Sequence, residues 1–224
     1  MQREVDLVRR AEIGRERRAR TRSAIIQAAI EVIAEKGEES VTTQDFMDRA
    51  GVSRGTFYNY FDAKTSVLSA IADDLMDSLN AQIIEESQDI ENADERLAWI
   101  LHRVLERADR DPTWANALLV AVWRNAPNIV GETTMGYLLA DLNLGRDQGL
   151  FSVMDDTVSA SIIFGSMMFG MRAVLDQQYG VEQRRQLVSQ ILVALGAQQR
   201  RAEIVSESIH KRCQAAMANF TSEY

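Results

Sequence analysis

One cysteine, two prolines and two histidines among 224 residues set the first limits. Cys213 stands alone, so no internal disulfide can form, which fits a reducing cytoplasm. A lone cysteine in a polar late segment reads as inert rather than as a thiol sensor. With so few prolines and few alternating apolar–polar stretches, the pattern is that of an all-α chain. No apolar run approaches the length of a membrane span. Arg3, Arg9 and Arg10 interrupt the N-terminus with no apolar core behind them, so neither a signal peptide nor a membrane partner is expected. Glu106 follows His102 by four residues, which is ordinary helical spacing, and His210 has no metal-ligand neighbour that stands out. No nucleophile elbow, phosphate loop or zinc spacing occurs. The chain therefore reads as a non-enzyme without a cofactor.

What is present is concentrated in residues 42–64, TTQDFMDRAGVSRGTFYNYFDAK. Thr42 is placed to cap a short helix, with Asp45 three residues later in capping-box register. Phe46 and Ala50 share a face, and Gly51 supplies the left-handed residue that ends the helix. Val52 plugs the corner and Ser53 caps a second helix. That helix opens on Arg54, Gly55 and Thr56 and continues through Tyr58, Asn59 and Tyr60 around an inward Phe57 and Phe61. The polar residues cannot all be core. A capped helix pair with this second helix suits entry into a DNA major groove.

A net charge of −8 seems to oppose such a role, but the charge is unevenly spread. Through Lys64 there are 12 Lys+Arg against 11 Asp+Glu, and the rest holds 13 against 22. Arg15, Arg17, Arg18, Arg20 and Arg22 crowd one short segment. Affinity for DNA follows the local field rather than the total. Residues 1–19 read as an Arg-rich arm, disordered or loosely helical. It either contacts phosphate or the minor groove, or is a solvated tail.

The residues Thr42-Thr43, Ala50-Gly51-Val52-Ser53, Gly55-Thr56-Phe57-Tyr58-Asn59-Tyr60-Phe61 and Lys64 resemble the signature of the TetR family of bacterial transcriptional regulators. The resemblance implies a three-helix helix-turn-helix DNA-binding domain, here 20–66. A C-terminal helical ligand-binding and dimerisation domain, here 67–224, would follow. It further implies that Arg54, Gly55 and Thr56 approach base edges, that Tyr58, Tyr60 and Lys64 hold phosphates, and that Thr43 and Gln44 reach the backbone.

Beyond Lys64 the apolar spacing predicts helices to about Ser87, from Asn92, from Pro112, over 131–147, over 156–178, and a last long helix from Val181 past Ile204. Pro127 falls just past the end of the one that Pro112 starts. The 156–178 helix is apolar nearly all round. By the family pattern it pairs with 181–205 and with their copies in a symmetric dimer, through Ile162, Gly165, Phe169, Val188, Ile191, Leu192 and Leu195. Trp99, Trp114, Trp123, Met135, Tyr137, Phe164, Met167, Met168 and Met171 are candidate walls of a pocket for a largely apolar small-molecule effector. Taken singly, each also fits a plain core. The expected protein is a homodimeric regulator, released from a palindromic double-stranded operator by that effector. The rival is a ligand-independent, chromosome-organising DNA-binding protein on the same scaffold.

Overall fold

The computed structural model describes residues 2–124, 132–153 and 155–220. Among them there are helices and no strand: α1 Gln2–Lys36, a 3-10 turn Glu38–Ser40, α2 Thr43–Ala50, α3 Arg54–Tyr58, α4 Lys64–Glu86, α5 Ala93–Arg110, α6 Pro112–Arg124, α7 Glu132–Asp147, α8 Asp156–Leu175, α9 Val181–Ala194 and α10 Gln199–Phe220. Pro127 lies outside the described residues. The chain divides into two compact units, residues 1–72 with 116–129, and 73–115 with 130–224.

In the first unit, α1 does not begin at residue 20. It runs unbroken from Gln2, so the arm expected to be disordered or loosely helical is helix. No proline interrupts it, and Arg, Glu and Ala are good helix formers. Its second half supplies Ile25, Ala29, Val32 and Ile33 to a core completed by Phe46, Phe57, Phe61, Val67, Leu68 and Ile71, all buried. α1 packs on α2, and Arg49 of α2 bridges back to Glu31 at 3.1 Å and Glu35 at 2.5 Å.

In the second unit, α5 is the centre, packed by α7, α8, α9 and α10. Asp111 accepts from the Trp114 amide at 3.0 Å, and Pro112 takes the first turn of α6, where no amide donor is needed. Asn92 precedes α5 without capping it through its side chain; the Ala93 amide donates to Gln148 Oε1 instead, at 2.9 Å. Asp94, fully buried, is held by the Arg201 guanidinium through two hydrogen bonds of 2.5 and 3.0 Å, which anchors α10 to α5.

Three features of the second unit depart from the sequence pattern. The last long helix is two helices. Gly196, at φ 104°, breaks it. A Cβ at that position would lie 2.1 Å from Ser152 Oγ and 2.6 Å from the Ser152 amide nitrogen. The Ser152 and Val153 amides both donate to the Leu195 carbonyl there, at 2.9 and 3.3 Å. Only glycine satisfies both the conformation and the close approach. Second, α8 ends at Leu175 rather than Gln178 and has an 18-residue window of mean hydropathy 1.6, long and apolar enough by composition to cross a membrane. The interrupting Ser159, Gly165, Ser166 and Gly170 conceal this from a count of consecutive apolar residues. In the fold, Ile163, Met167, Met171 and Val174 of α8 are buried, and Gly170 admits Leu187 of α9. Third, Val188, Ile191, Leu192 and Leu195 are at most 2% exposed within a single chain. They are core, with no area left for a second copy. Core and interface positions share the same apolar helical spacing, so periodicity alone does not separate them.

The two histidines, far apart in sequence, meet between α5 and α10 with ring centroids 5.3 Å apart. His102 is buried, and its Nε2 lies 3.1 Å from both the carbonyl and the hydroxyl of Ser206. Burial, then the neighbouring His210, pushes its pKa down to about 3. Its ordinary value is near 6.5, so the unfolded chain takes up this proton first as pH falls. The stability held above pH ~6.5 is then lost on acidification toward pH ~3, at about 1.4 kcal/mol per pH unit. Urea denaturation between pH 6.5 and 5 is expected to show this slope in the wild type and a flatter one in His102→Gln. Parallel slopes would remove the assignment. Burial likewise pushes the Cys213 thiol up to about 12, which makes it a poor nucleophile at neutral pH.

Candidate nucleic-acid interface

The helix pair is built from local bonds. Thr42 Oγ1 accepts from the Asp45 amide at 3.3 Å, and Asp45 Oδ2 accepts from the Thr42 amide at 2.8 Å, which closes the capping box. Lys36 of α1 donates to Asp45 Oδ1 at 2.5 Å; that bond first, then those from Thr42, hold the Asp45 carboxyl well below the usual carboxylate range. Gly51 sits at φ 66° and ends α2. Val52 donates to the Met47 carbonyl at 3.1 Å, turning the chain. Ser53 Oγ accepts from the Thr56 amide at 3.2 Å and starts α3. These bonds set the direction of α3, and Phe57 and Phe61, both buried, pin it to the core. Their rings lie 5.9 Å apart.

The outward face of α3 then follows. Arg54, Gly55, Tyr58 and Asn59 are exposed, and Thr56 and Tyr60 are half-buried. The Arg54 guanidinium lies 5.6 Å over the Tyr58 ring, which supports it without a carboxylate. A Cβ on Gly55 would meet nothing within 4 Å, and its φ is not positive. Neither packing nor backbone conformation asks for glycine there, so the bare backbone is free for something outside the chain. On α2, Thr43 is half-buried, and Gln44 is exposed, donating to Asp48 Oδ1 at 2.7 Å. Lys64, at the start of α4, donates to the Val41 carbonyl at 2.8 Å, so part of its bonding capacity is committed within the chain. One participant was not legible in the sequence: the Arg22 guanidinium lies 5.7 Å over the Phe61 ring, a contact across 39 positions with no local pattern to signal it.

The candidate pocket residues separate. Trp99, Trp114, Met167 and Met171 are buried, Met135, Phe164 and Met168 half-buried, and Tyr137 is 47% exposed. Trp123 is 65% exposed and falls in the first unit, whereas Trp99 and Trp114 fall in the second. Trp99 is stacked by Arg212 at 5.0 Å and Arg103 at 6.0 Å, and Trp114 by Arg107 at 5.7 Å. These arginines occupy ring faces that a ligand would otherwise use. On α8, Ile162 and Gly165 are half-buried and Phe169 is 71% exposed.

A capped helix pair that turns a cationic, hydroxyl-bearing helix to solvent defines a helix-turn-helix DNA-binding protein. Residues 25–71 match the model of the family described as bacterial regulatory proteins, tetR family, and the chain carries the DNA-binding domain of that family. Over 52 residues it is 48% identical to the uncharacterized HTH-type transcriptional regulator YvdT of Bacillus subtilis. That match takes in 23% of this chain and 27% of YvdT, so the chain aligns with about a quarter of that relative's length. The fold is similar over much more. The crystal structure of RolR with resorcinol superposes with a TM-score of 0.64 over 85% of this chain and 95% of RolR, at 23% identity. FadR from Bacillus subtilis, in complex with stearoyl-CoA, gives a TM-score of 0.61 over 76% of this chain and 97% of FadR, at 24% identity.

Proposed function

We propose that this protein is a dimeric transcriptional repressor that occupies a two-fold operator in the cytoplasm and leaves it when a largely apolar small molecule binds the second unit. The observation that carries the DNA half is the first turn of α3, with Arg54 and Thr56 beside a Gly55 that nothing within the chain requires. Thr43, Gln44, Tyr58, Asn59, Tyr60 and Lys64 surround that turn in sequence as backbone contacts. The dimer reading is supported by an apolar stripe on α8: Val158, Ile162, Gly165 and Phe169 follow at intervals of four, three and four. Val158 is 50% exposed, and a Cβ on Gly165 would meet nothing within 4 Å. Such a stripe fits a facing helix in a second copy. The effector reading is supported by the adaptable Met167, Met168 and Met171 of α8, and by the resorcinol and stearoyl-CoA held by structures of similar fold.

Selection of bound duplexes from a random-sequence pool tests the DNA half. A symmetric consensus is expected. Arg54→Ala should then lower the ratio of consensus to random affinity by about 1–3 kcal/mol, the range for one lost base contact. An unchanged ratio would move Arg54 to a phosphate or structural role.

The effector half has its own test. Any molecule found to release the protein must bind the operator complex more weakly than the free dimer, by the same factor with which it weakens DNA binding. Titration of both species, followed by calorimetry, reads that factor. Equal affinity for the two would overturn the release mechanism and favour the ligand-independent rival.

A further inference from the structure

The N-terminal half of α1 stands clear of the core. Every side chain from Glu12 to Arg20 is exposed, and burial begins at Ile25. A polar helix with no buried face receives no tertiary support. Arg15, Arg18 and Arg22 add to the difficulty, because their spacing of three and four puts like charges on one face. None of the three has a carboxylate partner among the described residues. Several other arginines are held in ion pairs: Arg49 with Glu35, Arg96 with Asp141, Arg103 with Glu86, Arg184 with Asp109, Arg212 with Asp89. The chain has 33 acidic residues, yet among the described ones none pairs with this stripe.

The direction of the stripe is known at one end. Arg22 lies over Phe61, the residue that closes the turn after α3. The face of α1 that carries Arg15 and Arg18 is therefore the face turned toward the end of the recognition helix. At 1.5 Å per residue, the stripe extends about 10 Å along the helix axis from Arg22. Arg17 and Arg20 lie on the other side, beside Ile13 and Glu16.

We propose that Arg15 and Arg18 are phosphate-binding residues, and that the extension of α1 is a rigid second contact on the same DNA duplex. Its azimuth is set by Arg22 on Phe61. This rests on the DNA-binding reading and adds which cations, on which face, and that the helix must be continuous to present them. A polyanion on this face relieves the repulsion that Arg15, Arg18 and Arg22 exert on one another.

The test is the salt dependence of binding to a duplex selected from a random pool. Four proteins are compared: wild type, Arg15→Ala/Arg18→Ala, Arg17→Ala/Arg20→Ala, and Ala19→Pro. Each lost phosphate contact lowers the log–log slope by about 0.9. In the dimer each double variant removes four arginines, so the first should lose about 3.6 and the second almost nothing. The proline breaks the helix between the stripe and its anchor and should match the first double, with circular dichroism confirming that the remaining helices persist. Equal losses in the two doubles would overturn the proposal in favour of a diffuse charged tail. No loss in either would make the extension a solvated appendage, and an innocuous proline would make it a flexible arm. A wild type that selects no duplex would instead defeat the DNA-binding reading itself.

Discussion

Leu192→Glu is expected to unfold the C-terminal unit rather than to separate two subunits. The side chain is 0% exposed in one chain, on α9, among Val188, Ile191 and Leu195. Removing its apolar volume alone costs about 2–5 kcal/mol. A carboxylate there has no cation assigned to it and loses its hydration, which adds several kcal/mol or forces it to take up a proton. Domain stability is about 5–15 kcal/mol, so the sum removes most or all of it. Circular dichroism should show lost helix, and Leu192→Ala should remain folded with a lowered urea midpoint. A Leu192→Glu protein that keeps its helix and sediments as a monomer would return Leu192 to a subunit interface, as the spacing of the stripe alone suggests.

Phe169→Glu is expected to do the opposite: to leave the fold intact and abolish operator binding. Phe169 is 71% exposed, so the charge remains hydrated in a single chain and costs little there. In a symmetric dimer across the Val158, Ile162, Gly165 and Phe169 stripe, the substitution places a carboxylate from each copy near the two-fold axis. An unpaired charge buried in such a contact costs about 3–5 kcal/mol, which weakens association more than 100-fold. Sedimentation at micromolar concentration should give monomers with unchanged helical content. Binding to a two-fold site should fall with it, because the two recognition helices are no longer delivered together. A variant that stays dimeric would move the interface away from this face of α8.

The contrast between Leu192 and Phe169 shows where sequence reading stops. Both are large apolar residues at helical spacing, on neighbouring helices. One is sealed by its own chain and the other is not, and nothing in the local pattern distinguishes them. The same holds for Trp99 and Trp123. Both looked like pocket walls; one is buried between two arginines and the other faces solvent.

The sequence by itself determined the helix-turn-helix, down to its capping residues. Thr42, Asp45, Gly51 and Ser53 act within a few positions of themselves, through bonds that the backbone requires at every helix end. Phe57 and Phe61, one turn apart, needed only helical periodicity to be placed inward. Tertiary structure alone decided the rest. It set Arg22 over Phe61. It split the last helix at Gly196, where the approach of Ser152 leaves no room for a side chain. It also chose which apolar stripe is core and which stays exposed on the single chain. Those outcomes depend on what comes close from distant parts of the chain, and a repeat of three and four residues carries no information about that.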